Sequence, residues 1–204
     1  MKILSTADVP LVALKELASL LPARWKAEVD EAQMFFKSME VPSWVSVVAE
    51  APWWAQFLAA SASLYVSGLI SEAGKDTWKN RGKIAAAARR VPSAVTELAT
   101  FITSARASGS SKTFVTLGIP FADEYNTASL KLDYSNPEVL EFSIALFVHH
   151  LPALQALLQS EGLIESPPVG GMQLEFGDDC SMLITWMDRE SLHLCERILP
   201  FGNL

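Results

Sequence analysis

Cys180, His193 and Cys195 sit close together near the end of the chain, and thiolate and imidazole are side chains that zinc prefers. A structural zinc needs four ligands, commonly with paired C-x-x-C spacing, and a fourth can be sought only at Asp178 or Asp179. The strand pairing expected here also separates the ligands. A three-residue turn, Asp188–Glu190, sets Trp186 opposite Leu192 and Ile184 opposite Leu194, building one apolar face. Cys180 shares that face, while His193 and Cys195 point to the other. The same pairing forbids a Cys180–Cys195 disulfide. The expectation is two reduced cysteines, no metal and no cofactor.

His149 and His150 are adjacent on an expected helix, so their side chains diverge by about 100° and do not share one ion comfortably. Either could act as a general base, but no serine or cysteine nucleophile motif accompanies them. The stretch Gly109–Thr113 ends like a phosphate-binding loop. That loop requires glycine where Arg106 and Ser111 stand, with a strand before it and a helix after. The expected order is the reverse, so a flexible linker explains the residues.

Carboxylates are the remaining chemistry. Asp123-Glu124 and Asp178-Asp179 are adjacent pairs in expected turns, and Asp188 and Glu190 bracket a third. Paired carboxylates can hold a cation or divide acid and base roles. In turns they more commonly form the turn and remain solvated. Net charge is −7, unevenly spread: −3 over residues 1–74, +6 over 75–112 and −10 over 113–204. The acidic part is a poor nucleic-acid ligand and a plausible surface for a basic protein. The basic tract 75–90 interleaves only Trp78 among its cations, so base stacking has little support.

The elements that must position these residues follow from periodicity. Lys2–Ser5 reads as a strand. Leu11, Leu14, Ala18 and Leu21 share one helical face, with Thr6 or Asp8 as cap and Pro22 as terminator. Trp25, Ala27 and Val29 alternate with charged residues as in a half-buried strand, parallel to the first. Ser43 is expected to cap a short helix through Glu50, making residues 43–107 wholly helical.

Ala51–Ser71 contains no charged residue and can only be buried. At about 1.5 Å per residue it is long enough for a bilayer, but its serines, Gln56 and Gly68 favour a protein core. Beyond the small-residue linker 106–112, the pattern changes to strand, strand, a helix opened by Asn136-Pro137, and three more strands. Pro152 is expected to kink or split that helix.

These readings converge on an α+β protein: a mixed or antiparallel sheet, flanking helices and a helical middle segment holding a buried apolar helix. Residues 1–204 are read as a single unit, with a subdivision at 107/108. Two cysteines and no apolar leader predict a cytoplasmic protein. The expected function is a non-catalytic interaction protein of the immunity or inhibitor type. It would bind a basic partner through Asp123, Glu124, Asp178, Asp179, Asp188 and Glu190. The alternatives are an enzyme using carboxylates with His149 or His150, and a membrane-acting effector that exposes residues 51–71.

Overall fold

The computed structural model describes residues 1–6, 9–31, 43–60, 93–108, 113–122, 126–132 and 137–201. Eight strands form one mixed sheet among them: β1 (Lys2–Ser5), β2 (Glu28–Glu31), β3 (Trp44–Val48), β4 (Phe114–Pro120), β5 (Thr127–Lys131), β6 (Val169–Phe176), β7 (Met182–Met187) and β8 (Leu194–Leu199). Their order across the sheet is β2-β1-β3-β4-β5-β6-β7-β8. Four helices accompany them: α1 (Leu11–Ser19), α2 (Ala51–Ala60), α3 (Ser93–Ser108) and α4 (Pro137–Ser160). This is an α+β protein.

Paired residues on neighbouring strands project to the same side of a sheet. The row Val29, Ile3, Val47, Leu117, Leu130, Leu174, Ile184 therefore builds one continuous apolar face across seven strands. It joins one core with Leu14 of α1, Trp54 and Phe57 of α2, Leu98 and Ile102 of α3, and Ile144, Phe147 and Leu151 of α4. In the middle strands the other side of the sheet carries hydroxyl side chains. There Thr116 donates to Ser46 at 2.8 Å, and the Thr127 and Ser129 hydroxyls meet at 2.6 Å.

β1 falls where the periodicity places it, and β2 pairs with β1 in parallel. α1 lies on the expected segment, but Pro10 stands at its N-cap with no side-chain cap, in place of Thr6 or Asp8, and it ends at Ser19, before Leu21. Trp25 departs from the expected alternation. It lies in a 3₁₀ turn, Ala23–Trp25, which Lys26 ends with a left-handed φ of 46°. From there the Trp25 ring reaches Trp53 at 5.9 Å and Phe57 at 5.4 Å.

The expected helix after Ser43 is instead β3, antiparallel to β1 and parallel to β4. Its residues are mostly aromatic and β-branched, which suits a pleated sheet. Val45, Ser46, Val47 and Val48 are all buried, on both faces, so the strand has no alternation to read.

The charge-free stretch begins as α2, whose Trp54 is fully buried and donates Nε1–H to the Gly118 carbonyl at 3.2 Å. Trp54 also meets Phe147 of α4 edge to face at 5.2 Å. Residues 61–92, which include the rest of that stretch and the basic tract, lie outside the described residues. So do 109–112 of the linker; residues 106–108 belong to α3.

α4 is one continuous helix through Pro152, not two. It ends where Gly162 turns left-handed at φ 66°. Val139–Ser160 is long and apolar enough to cross a bilayer, yet 67% of that window is buried inside the protein. β5 runs Thr127–Lys131, where the residue pattern predicts a strand over Ser129–Tyr134.

Candidate functional site

The β6–β7 turn brings together most of the chemistry-bearing residues of the C-terminal part. Gly177 N–H donates to the Ser181 carbonyl at 2.9 Å, and Asp179 Oδ1 accepts Ser181 N–H at 3.0 Å. This closed turn forces Cys180 to a φ of 63°, which costs a non-glycine residue about 1–2 kcal/mol. Two contacts hold it there. The Cys180 side chain is buried with Phe142 and Leu146 of α4, and its carbonyl accepts a hydrogen bond from His150 Nε2 at 2.8 Å.

A carbonyl can only accept, so His150 carries a proton on Nε2, and its lowered pKa leaves the ring neutral near pH 7. Burial pushes its pKa down to about 4; the Cys180 carbonyl and nearby Asp179 pull back weakly, and His149 pushes further down. Burial also lowers His149. Burial, with the Asp179 charge, raises the Cys180 thiol to about 11, so no thiolate forms there at neutral pH. The rings of His149 and Phe201, 5.3 Å apart, close the cluster from one side. The chemistry of this arrangement is structural. A protonated thiol and a histidine whose N–H is committed to a backbone carbonyl fasten a hairpin to a helix, and they are not set up for nucleophilic attack. Among the described residues no three His, Cys, Asp or Glu side chains gather as a metal site.

The β7–β8 connection corrects the expected hairpin. Met187 pairs with Leu194 and Trp186 with Cys195, so the loop runs from Asp188 to His193. Asp188 organises it. Its Oδ1 accepts from Glu190 N–H at 3.2 Å, Ser191 N–H at 2.7 Å and Ser191 Oγ at 2.6 Å. The Ser191 hydroxyl and backbone donors hold the Asp188 carboxyl below its ordinary range. Leu192 N–H donates to the Asp188 carbonyl at 3.0 Å, with Leu192 itself at a φ of 55°. In this register Cys195 lies on the core side beside Trp186, and Leu192 and Leu194 are exposed. That reverses the expected faces.

The predicted acidic residues do not form one patch. Asp178 and Asp179 are exposed at the β6–β7 turn, and Asp188 and Glu190 lie in the loop at the other end of β7. Six strand residues separate the two ends, which places them roughly 17–20 Å apart. Asp123 and Glu124 lie outside the described residues. β4 runs in the same direction as β7, so its end at Pro120 shares the sheet end that bears Asp188 and Glu190.

Between the two acidic ends lies a surface that pattern reading missed. Among the described residues, the outer face of β6–β8, away from the helices, is uncovered. Val169, Met187 and Leu194 form one cross-strand row on it, and Leu183 and Ile198 form a second. Gly170 and Gly171, at φ 74° and 83°, make the irregularity in β6 that brings Val169 opposite Met187. The charged side chains of this face are Glu175 and Glu196, both exposed. Arg197 is turned to the core side, where it pairs with Glu161 at 2.9 Å and lies 5.7 Å from the Trp186 ring. The signal in the sequence was that the run Met182–Met187 has apolar residues on both alternating faces, as does Leu194–Leu199 around Glu196 and Arg197.

Comparison with protein-family models, with curated proteins and with solved structures finds no match to this chain.

Proposed function

We propose that this chain is a non-catalytic interaction protein, of the immunity or inhibitor type, that captures a basic protein partner through its β6–β8 meander. What supports the reading is the charge display of that meander. Residues 169–199 hold six carboxylates against two arginines, a net of −4 leaving histidine aside. One of those arginines, Arg197, is already paired with Glu161. Asp178 and Asp179 stand at one end, Asp188 and Glu190 at the other, and Glu175 and Glu196 on the open face between. A surface of one sign steers an oppositely charged protein and speeds its encounter at low salt. The buried His150 and Cys180 add no reactive group to this surface, because both serve the turn beneath it.

The test is capture by the immobilised chain from extracts of its own host, with mass spectrometry of what is held. The wild-type chain is compared with Glu175→Lys/Glu190→Lys/Glu196→Lys, and each is washed at about 50 and 300 mM salt, either side of the range where screening sets in. The expected result is a retained protein of basic isoelectric point, lost from the triple variant and weakened several-fold by salt. Equal retention by both chains, or retention indifferent to salt, would remove the reading.

A further inference from the structure

We infer that the outer face of the β6–β8 meander is the docking site for an amphipathic segment of that partner, in which apolar side chains alternate with lysine or arginine. The inference rests on the interaction reading above and adds the apolar half of the contact. Val169 is 46% exposed, Met187 42%, Leu192 63%, Leu194 67% and Ile198 65%. Single exposed apolar residues are ordinary on a protein surface, but contiguous ones mark contact sites. Here Val169, Met187 and Leu194 are direct cross-strand neighbours, and Leu192 precedes Leu194 by two residues in the adjoining loop.

Leu192 adds a second line. It occupies the left-handed region at φ 55°, where glycine or asparagine would hold the same loop at lower cost. Its side chain stands in solvent, so no packing compensates the strain as burial does at Cys180. A leucine kept in a strained and exposed position is suited to burial by something else.

Charge decides the occupant. Among the described residues the meander's outer face carries Glu175 and Glu196 and no cation, and Glu190 flanks it in the loop beside Arg189. A second copy of this chain laid on the same face would oppose carboxylate to carboxylate, which disfavours self-association. A partner segment with lysine or arginine between its apolar residues satisfies both halves of the surface.

The experiment uses the full chain and three synthetic peptides of equal length: leucine with lysine, leucine with glutamate, and serine with lysine. Binding is followed by amide chemical shifts and by titration. The leucine–lysine peptide should move the amides of Thr185, Met187, Leu194 and Glu196, and bind at least tenfold more tightly than either control. Leu194→Ser should weaken it at least tenfold. Leu192→Asn should weaken it several-fold while raising the melting temperature, which excludes misfolding as the cause. Three results would overturn the inference. One is equal binding of the leucine–glutamate peptide. Another is a concentration-dependent dimer abolished by Leu194→Ser. The third is shifts confined to the Asp178–Asp179 and Asp188–Glu190 turns, which would remove the apolar site and leave the acidic capture reading standing.

Discussion

His150 makes the stability of this protein a function of pH in a calculable way. In the unfolded chain its imidazole titrates near the ordinary 6.5, whereas in the fold burial pushes it down to about 4. A depressed histidine pKa means that the unfolded state binds the proton more readily. Stability is therefore complete above about pH 6.5 and is lost as pH falls toward 4. A difference of two and a half pKa units corresponds to about 3 kcal/mol, with a maximal slope of about 1.4 kcal/mol per pH unit. That is a sizeable part of the roughly 5–15 kcal/mol that holds a typical domain folded. His149, lowered by burial too, acts in the same direction. Asp188, whose carboxyl is held below its ordinary range, contributes only at lower pH, so the windows separate.

The assay is urea denaturation followed by tryptophan fluorescence between pH 7.5 and 4.5. The comparison is His150→Gln, whose amide can still donate to the Cys180 carbonyl but does not titrate. The wild type should lose about 2–3 kcal/mol over this range, and the variant should lose about one proton's worth of slope less. A wild-type stability flat between pH 6.5 and 5, or an undiminished slope in the glutamine variant, would refute the assignment of a buried neutral His150.

Two further outcomes follow from packing. Trp54→Ala should cost about 3–5 kcal/mol of unfolding free energy in the same assay, because Trp54 is fully buried and its indole N–H serves the Gly118 carbonyl; a loss under about 1 kcal/mol would mean that the α2–sheet contact is not native. Gly171→Ala should destabilise more than Gly170→Ala, since both glycines have positive φ but a β-carbon at Gly171 would stand 2.7 Å from the Thr127 carbonyl oxygen while one at Gly170 would meet open space. The left-handed conformation alone accounts for about 1–2 kcal/mol in each, so equal melting temperatures would contradict the close approach of β5 to β6.

How much of this was legible from the residues depends on whether a local rule governed them. α1 and α3 each carry a one-sided apolar period, and α4 is bracketed by a start signal, Asn136-Pro137, and by Gly162 after it. β3 carries neither, because an interior strand buried on both faces shows no alternation, and Ser43 before it resembles a helix cap. The β7–β8 register escaped for a different reason. Asp188 followed three residues later by Ser191 is a side-chain-to-backbone turn signal, and it lengthens the loop to six residues. Counting a three-residue turn, Asp188–Glu190, differs from this by an odd number and so shifts every later side chain to the wrong face. The outer apolar row was hidden by the same habit that finds cores, since the expected turn assigns Leu192 and Leu194 inward. Turn chemistry was enough to put Asp178, Asp179, Asp188 and Glu190 in loops. That they stand at opposite ends of β7 follows from chain order, whereas the end of β4 sharing the Asp188 end depends on strand direction, which only the pairing reveals.

The two edges of the sheet carry a consequence of their own. β2 is four residues long and bears Glu28, Asp30 and Glu31, while β8, at the far edge, exposes Glu196. An unpaired edge is a template on which other chains can add, and like charge is one of the means by which proteins keep it bare. Here the guard is charge, so a strand laid along either margin by a second copy would bring carboxylate against carboxylate. Salt screens that repulsion, so the margins are best protected at low ionic strength.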